Sequence, residues 1–113
     1  MHELPVTESI LEIVLRHAKE AGATRVMQID LTIGDFSSIV DDSVQFYFDI
    51  LSKETIAKDA QLVFNRVPGK LRCWDCQATF APNGREYSCP KCGSMRVQVV
   101  DGREFRVESI EVE

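Results

Sequence analysis

Residues 73–92 read CWDCQATFAPNGREYSCPKC, and this stretch holds all four cysteines of the chain. Cys73 and Cys76 form one Cys-x2-Cys pair, Cys89 and Cys92 another, with twelve residues between the pairs. Two intervening residues let both sulfurs of a pair turn toward one ion in a tight knuckle. Two knuckles supply four thiolates at the corners of a tetrahedron, the closed geometry of structural zinc. Pro90 and Gly93 shape the second knuckle, where a glycine relieves strain and lets its N–H approach a sulfur. Pro82-Asn83-Gly84 predicts a turn between two short strands, so residues 70–96 read as an inserted zinc ribbon. The same cysteines would make two disulfides in an exported chain, or a rubredoxin-like iron site. A redox dithiol accounts for one pair but not for two. Zn(II) is the occupant the pattern favours.

Charge sets this segment apart from its flanks. Residues 1–65 carry five lysines and arginines against eleven acidic residues; residues 66–96 carry six against two; residues 97–113 carry two against five. Four thiolates around one divalent ion bring two negative charges, so the basic balance of the segment is modest once metal is bound. Over the whole 113 residues the net charge is −5, which argues against general nucleic-acid binding. With 44% apolar and 27% charged residues the composition is that of a globular protein. No apolar run approaches the length of a membrane span, and no basic start with an apolar stretch marks a secretion signal. The expected location is the cytoplasm.

Outward from the ribbon, both flanks read as one α+β unit. Residues 5–21 have Ile10, Leu11, Val14, Leu15, Ala18 and Ala21 at helical spacing, with Gly22 as a stop. His17 lies within this helix and reads as a partly exposed structural residue. Residues 25–33 alternate, with Met27, Ile29, Leu31 and Ile33 on one side, as in a strand with one buried face. A loop leads to a second helix over residues 43–55, capped by Asp41 or Asp42, with Val44, Phe48 and Leu51 on one face. AQLVFNRV is a second strand, stopped at Pro68-Gly69. Residues 95–113 predict two strands joined as a hairpin by Asp101-Gly102. The last strand changes parity between Phe105/Val107 and Ile110/Val112, which a bulge near Ser109 would reconcile. The expected architecture is two helices packed on one face of a small mixed or antiparallel sheet, with residues 1–69 and 97–113 forming that domain and 70–96 the ribbon. Open sheet edges allow a monomer or a weak dimer.

The chain starts Met1-His2-Glu3 and has only one other histidine. A terminal amine and an imidazole both lose protons near neutrality. The Met1 amine and the His2 backbone nitrogen close a five-membered chelate ring; the same nitrogen and the His2 imidazole close a six-membered one. The Glu3 backbone nitrogen or carboxylate offers a fourth donor. Nitrogen-rich planar sets of this kind suit Ni(II) or Cu(II).

The MHE start, the amphipathic helix, IGDFS after the first strand, the C-x2-C-x12-C-x2-C module and a C-terminal strand, in that order and over the full chain, resemble the HypA/HybF family of hydrogenase maturation factors. The resemblance implies a nickel metallochaperone and not an enzyme. It implies that His2 binds nickel beside the Met1 amine and Glu3, and that Cys73, Cys76, Cys89 and Cys92 hold structural zinc. Asp41 is similar in placement to an acidic residue linked to the family's nickel site, with Asp42 adjacent. The implied partners are the GTPase HypB and the large subunit of [NiFe]-hydrogenase, and in some members urease maturation proteins. Some members carry histidines beside the zinc cysteines; this chain has none there. The alternative is a zinc-ribbon adaptor, supported by the basic segment with Trp74, Phe80 and Tyr87, although those aromatics equally serve to shield the knuckles. A hydrolase is disfavoured, since no nucleophile motif or phosphate-binding glycine loop is present.

Overall fold

A computed structural model describes residues 3–82 and 87–113. Met1 and His2 lie outside the described residues, as does most of the turn expected at Pro82-Asn83-Gly84. The element order is α1 (Glu3–Glu20), β1 (Val26–Gly34), α2 (Asp41–Leu51), β2 (Gln61–Val67), β3 (Lys70–Cys73), β4 (Thr79–Phe80), β5 (Val97–Asp101) and β6 (Phe105–Val112). The fold is α+β as expected, but its strands form two three-stranded sheets, β2-β1-β6 and β4-β3-β5. The chain divides into two compact units, residues 1–32 with 38–65 and 106–113, and residues 33–37 with 66–105.

In the first unit, α1 buries Thr7, Ile10, Val14 and Ala18, the one stripe that recurs every three or four residues. The helix starts at Glu3, two residues earlier than its apolar pattern; Pro5 falls in the first turn, where no intrahelical N–H bond is lost. It ends in a Schellman motif: Gly22 has φ +68°, its N–H bonds Lys19 at 3.0 Å, and the Ala23 N–H bonds Ala18 at 2.9 Å. α1 packs against α2, which buries Val44 and Phe48. The expected aspartate cap of α2 is absent. Asp41 and Asp42 lie inside the first turn, where their charges favour the helix dipole, and the N-cap is Val40. The helix ends at Leu51, four residues short of the expected limit, with the Ser52 N–H bonded to Phe48.

β1 is the central strand of its sheet. Arg25 and Glu113 exchange both backbone bonds, at 3.3 and 2.9 Å, as an antiparallel pair does. The Asn65 amide bonds the Leu31 carbonyl, and the Asp35 N–H bonds Val67, so β1 and β2 advance together and the sheet is mixed. Ile29, Leu31 and Ile33 are buried as expected, but Met27 is 45% exposed while Val26 and Thr32 are buried. Side chains of β6 reach over the opposite face, where Thr32 donates to Glu108 at 3.0 Å and Ser109 donates to Asp30 at 3.1 Å, so burial along β1 is not a clean alternation. In β6 the half-buried residues are Val107 and Ile110, three apart, which is the expected change of parity.

In the second unit β3 pairs antiparallel with β4 (Leu71 opposite Phe80) and with β5 (Leu71 opposite Val99, Cys73 opposite Val97). This pairing corrects two expectations. Asp101-Gly102 is not a hairpin turn, because β5 and β6 belong to different sheets. The ribbon boundary expected at residue 96 falls too early, because β5 completes the ribbon's own sheet. Gly102 has φ +106° and its carbonyl accepts the Phe36 N–H at 2.8 Å. A Cβ on Gly34 would overlap that carbonyl, so two backbone segments cross here at a distance only glycine allows. Gly34→Ala is therefore expected to cost about 2–4 kcal/mol, read as a lowered urea midpoint.

Candidate metal centre

Backbone hydrogen bonds build the two cysteine knuckles as near copies. In the first, Gln77 N–H bonds the Cys73 carbonyl at 3.0 Å and Cys73 N–H bonds Ala78 at 2.9 Å; in the second, Gly93 bonds Cys89 at 2.8 Å and Cys89 bonds Ser94 at 2.8 Å. The residue after each second cysteine has a left-handed backbone, Gln77 at φ +66° and Gly93 at φ +74°. The turn thus demands the conformation that glycine supplies in CPKCG, and Gln77 adopts it at some cost. Gln77 is held there by side-chain bonds from Arg72 at 2.8 Å and to the Trp74 carbonyl at 3.2 Å.

The four sulfurs lie within 4.8 Å of one another, the one such group of possible metal ligands among the described residues. The closest approaches run between knuckles, Cys73 to Cys92 and Cys76 to Cys89, each 3.5 Å. A tetrahedron with metal–sulfur bonds of about 2.3 Å has edges of about 3.8 Å, so the donor set fits one four-coordinate ion. All four cysteines are free, and a disulfide would need a sulfur–sulfur distance near 2.05 Å. Cys73 and Cys89 are buried; Cys76 and Cys92 are exposed.

A second layer locks the knuckles together. Asp75, inside the first pair, accepts from the Ser94 hydroxyl at 2.5 Å and from Arg96 at 2.9 Å; the Ser94 hydroxyl accepts the Arg96 N–H at 3.0 Å. The Trp74 N–H bonds the Arg96 carbonyl at 2.8 Å. Sequence reading missed this brace. An acidic residue between paired cysteines is its only local trace, and its partners stand about twenty residues away. Trp74 is 56% exposed, so it does not close over the knuckles as a shielding residue would. Tyr87 packs edge-on against Phe36 at 6.4 Å.

The thiols do not ionise alike. The Cys92 amide brings Cys89 down to about 7. The Ser94 amide lowers Cys92, but its hydrogen bonds to the other cysteines and its burial push it up to about 12. Amides of Cys76 and Asp75 lower Cys73, whereas Cys76, despite the Ala78 amide, is raised by Cys89 and burial. Sulfurs this close cannot share several negative charges without a cation among them.

Of the N-terminal candidates, Met1 and His2 lie outside the described residues. Glu3 is 8% exposed, and its Oε2 accepts the Val40 N–H at 3.1 Å. Asp41 follows Val40 directly, so the structure ties the residue after His2 to the residue before Asp41. His17 lies on the surface of α1 with Nδ1 3.5 Å from Glu20, and is partly exposed as expected.

A two-helix α+β fold that carries a ribbon with four thiols gathered to take one ion defines a protein with a four-cysteine metal site. The profile of the family described as "Hydrogenase/urease nickel incorporation, metallochaperone, hypA" matches residues 1–112. The chain is 44% identical to a hydrogenase maturation factor HypA of Dehalococcoides mccartyi over all of its own length and 95% of the relative's. It is 41% identical to the HypA of Geobacter metallireducens over the whole of both. The solution structure of the Ni metallochaperone HypA from Helicobacter pylori superposes with a TM-score of 0.68 at 32% identity, covering 99% of this chain and 97% of that one. A second HypA solution structure gives 0.73 at 31%, covering 100% and 97%. The chain belongs to the HypA family of nickel-incorporation metallochaperones.

Metal uptake at the four cysteines must displace protons from those thiols still protonated at neutral pH. Titration of metal-free protein with zinc at pH 7.5 is expected to release protons, Cys89 contributing least because it is already largely ionised, and the apparent affinity to fall as pH is lowered from 8 to 6. Proton release is measured in buffers of different ionisation enthalpy.

Proposed function

We propose that this protein carries Ni(II) on Met1-His2-Glu3 and delivers it to the large subunit of [NiFe]-hydrogenase during maturation. The Met1 amine, the His2 backbone nitrogen and imidazole and the Glu3 backbone nitrogen make fused chelate rings, and Asp41 adds a carboxylate from the start of α2. What supports this reading is the bond from the Val40 N–H to Glu3, which joins the residue after His2 to the residue before Asp41. Family membership supports nickel as the cargo.

Cargo and resident metal have opposite requirements. Zn(II) held by Cys73, Cys76, Cys89 and Cys92 has no open coordination position, so it stabilises its unit and supplies no chemistry. Nickel on a chain terminus has few protein ligands and an approachable side, so a recipient's ligands can replace them one at a time. Docking to the GTPase HypB and to the hydrogenase subunit in the cytoplasm gives the exchange its direction; urease maturation proteins are the alternative recipients. Among the described residues no helix is long and apolar enough to cross a membrane.

His2→Ala is expected to weaken Ni(II) binding at least about a hundredfold, the loss of a principal ligand and its chelate ring. It should leave zinc content and far-ultraviolet circular dichroism unchanged. Calorimetric titration of zinc-loaded protein checks this; wild-type nickel affinity in the variant would overturn the assignment.

A further inference from the structure

α2 begins without a side-chain cap of its own. Its N-cap is Val40, whose side chain has no acceptor to offer the exposed N–H groups of the first turn. Glu3 reaches across from the first residue of α1, and its Oε2 accepts the Val40 N–H at 3.1 Å. The bond is charge-assisted, lies at the positive end of the α2 dipole, and is made by a residue only 8% exposed. Glu3 is itself held in place. The fully buried Thr7 donates its hydroxyl to the Glu3 carbonyl at 2.5 Å, one turn along α1.

We infer that Glu3 is a positioning residue for nickel, whose carboxylate caps α2 from α1 and does not itself ligate the ion. This rests on the proposed N-terminal nickel site. Adjacent residues are about 3.8 Å apart along the chain, so the bond holds the start of α1 to the start of α2 at positions next in sequence to His2 and to Asp41. The Glu3 backbone nitrogen belongs to the first turn of α1, has no intrahelical partner to lose, and stays available to the chelate. Fixing the two segments beforehand lowers the ordering cost that nickel binding must otherwise meet.

Glu3→Gln and Glu3→Ala separate the two roles of the carboxylate. A glutamine amide oxygen can accept the Val40 N–H; alanine cannot. The readouts are Ni(II) titration of the zinc-loaded full chain and amide hydrogen exchange, with circular dichroism confirming that α1 and α2 persist. Glu3→Gln is expected to keep nickel affinity and Val40 protection within about threefold of wild type, and Glu3→Ala to lose about tenfold in both. If Glu3→Gln loses nickel as completely as His2→Ala while Val40 protection is unchanged, the carboxylate is a ligand and the inference is overturned. It is equally overturned if Glu3→Ala changes neither quantity. If His2→Ala binds nickel like wild type, the N-terminal site itself fails and the positioning role falls with it, even where exchange shows the cap intact.

Discussion

Four sulfurs gathered within 4.8 Å set the terms for the second unit. Protonated, they are a poor core; ionised, they repel. A divalent cation among them removes the repulsion and converts four weak side chains into one cross-link. The unit needs it. Among its described apolar side chains, few besides Ile33, Leu71, Cys73 and Cys89 are buried, and two of those belong to the thiol cluster itself. A segment this small rarely stabilises itself by apolar burial, so a metal takes the part that a larger core plays elsewhere. The Asp75–Ser94–Arg96 brace has the same logic at lower strength. Its groups are exposed, so they orient the knuckles more than they hold the unit together.

The first unit is stabilised by different means. Ile10, Val14, Val26, Ile29, Leu31, Val44 and Phe48 are all essentially inaccessible. Apolar contact is non-directional, however, and does not by itself fix how two helix ends meet. Directional bonds do that work at the margins, as in the Schellman turn at Gly22 and the Glu3 bond to Val40. Both leave helix interiors to packing and spend polar groups only where the backbone has unpaired ones.

Sequence periodicity made the helices and most strands legible, because helix and strand repeat at different periods and the chain keeps to them. The metal centre was legible for a sharper reason: Cys-x2-Cys is a local geometry, and its knuckle forms from six consecutive residues. What was hidden is non-local. Asp101-Gly102 carries the composition of a hairpin turn, yet Val97 and Val99 find partners on β3, nearly thirty residues earlier. The aspartate cap of α2 failed because the helix already begins at Asp41, which puts Val40 at the N-cap, and the Val40 N–H is met by an acceptor thirty-seven residues away. The buried Glu3 also belongs to this class. An acidic residue in a first turn ordinarily faces water, and only the tertiary placement of α2 makes it a partner.

The contrast between the four-cysteine cluster and the proposed N-terminal nickel chelate bears on transfer. A closed tetrahedral thiolate set gives up its ion only when ligands are protonated or the surrounding turns open, and here backbone bonds and the Asp75 brace resist opening. A terminal chelate has no such enclosure, and the order in its surroundings has to come from elsewhere. If Glu3 fixes the approach of His2 and Asp41 without ligating, affinity can come from preorganisation while the ion keeps an open side. A carrier built this way loads because its donors are already gathered. It unloads because a recipient meets the metal from the side that the protein leaves uncovered.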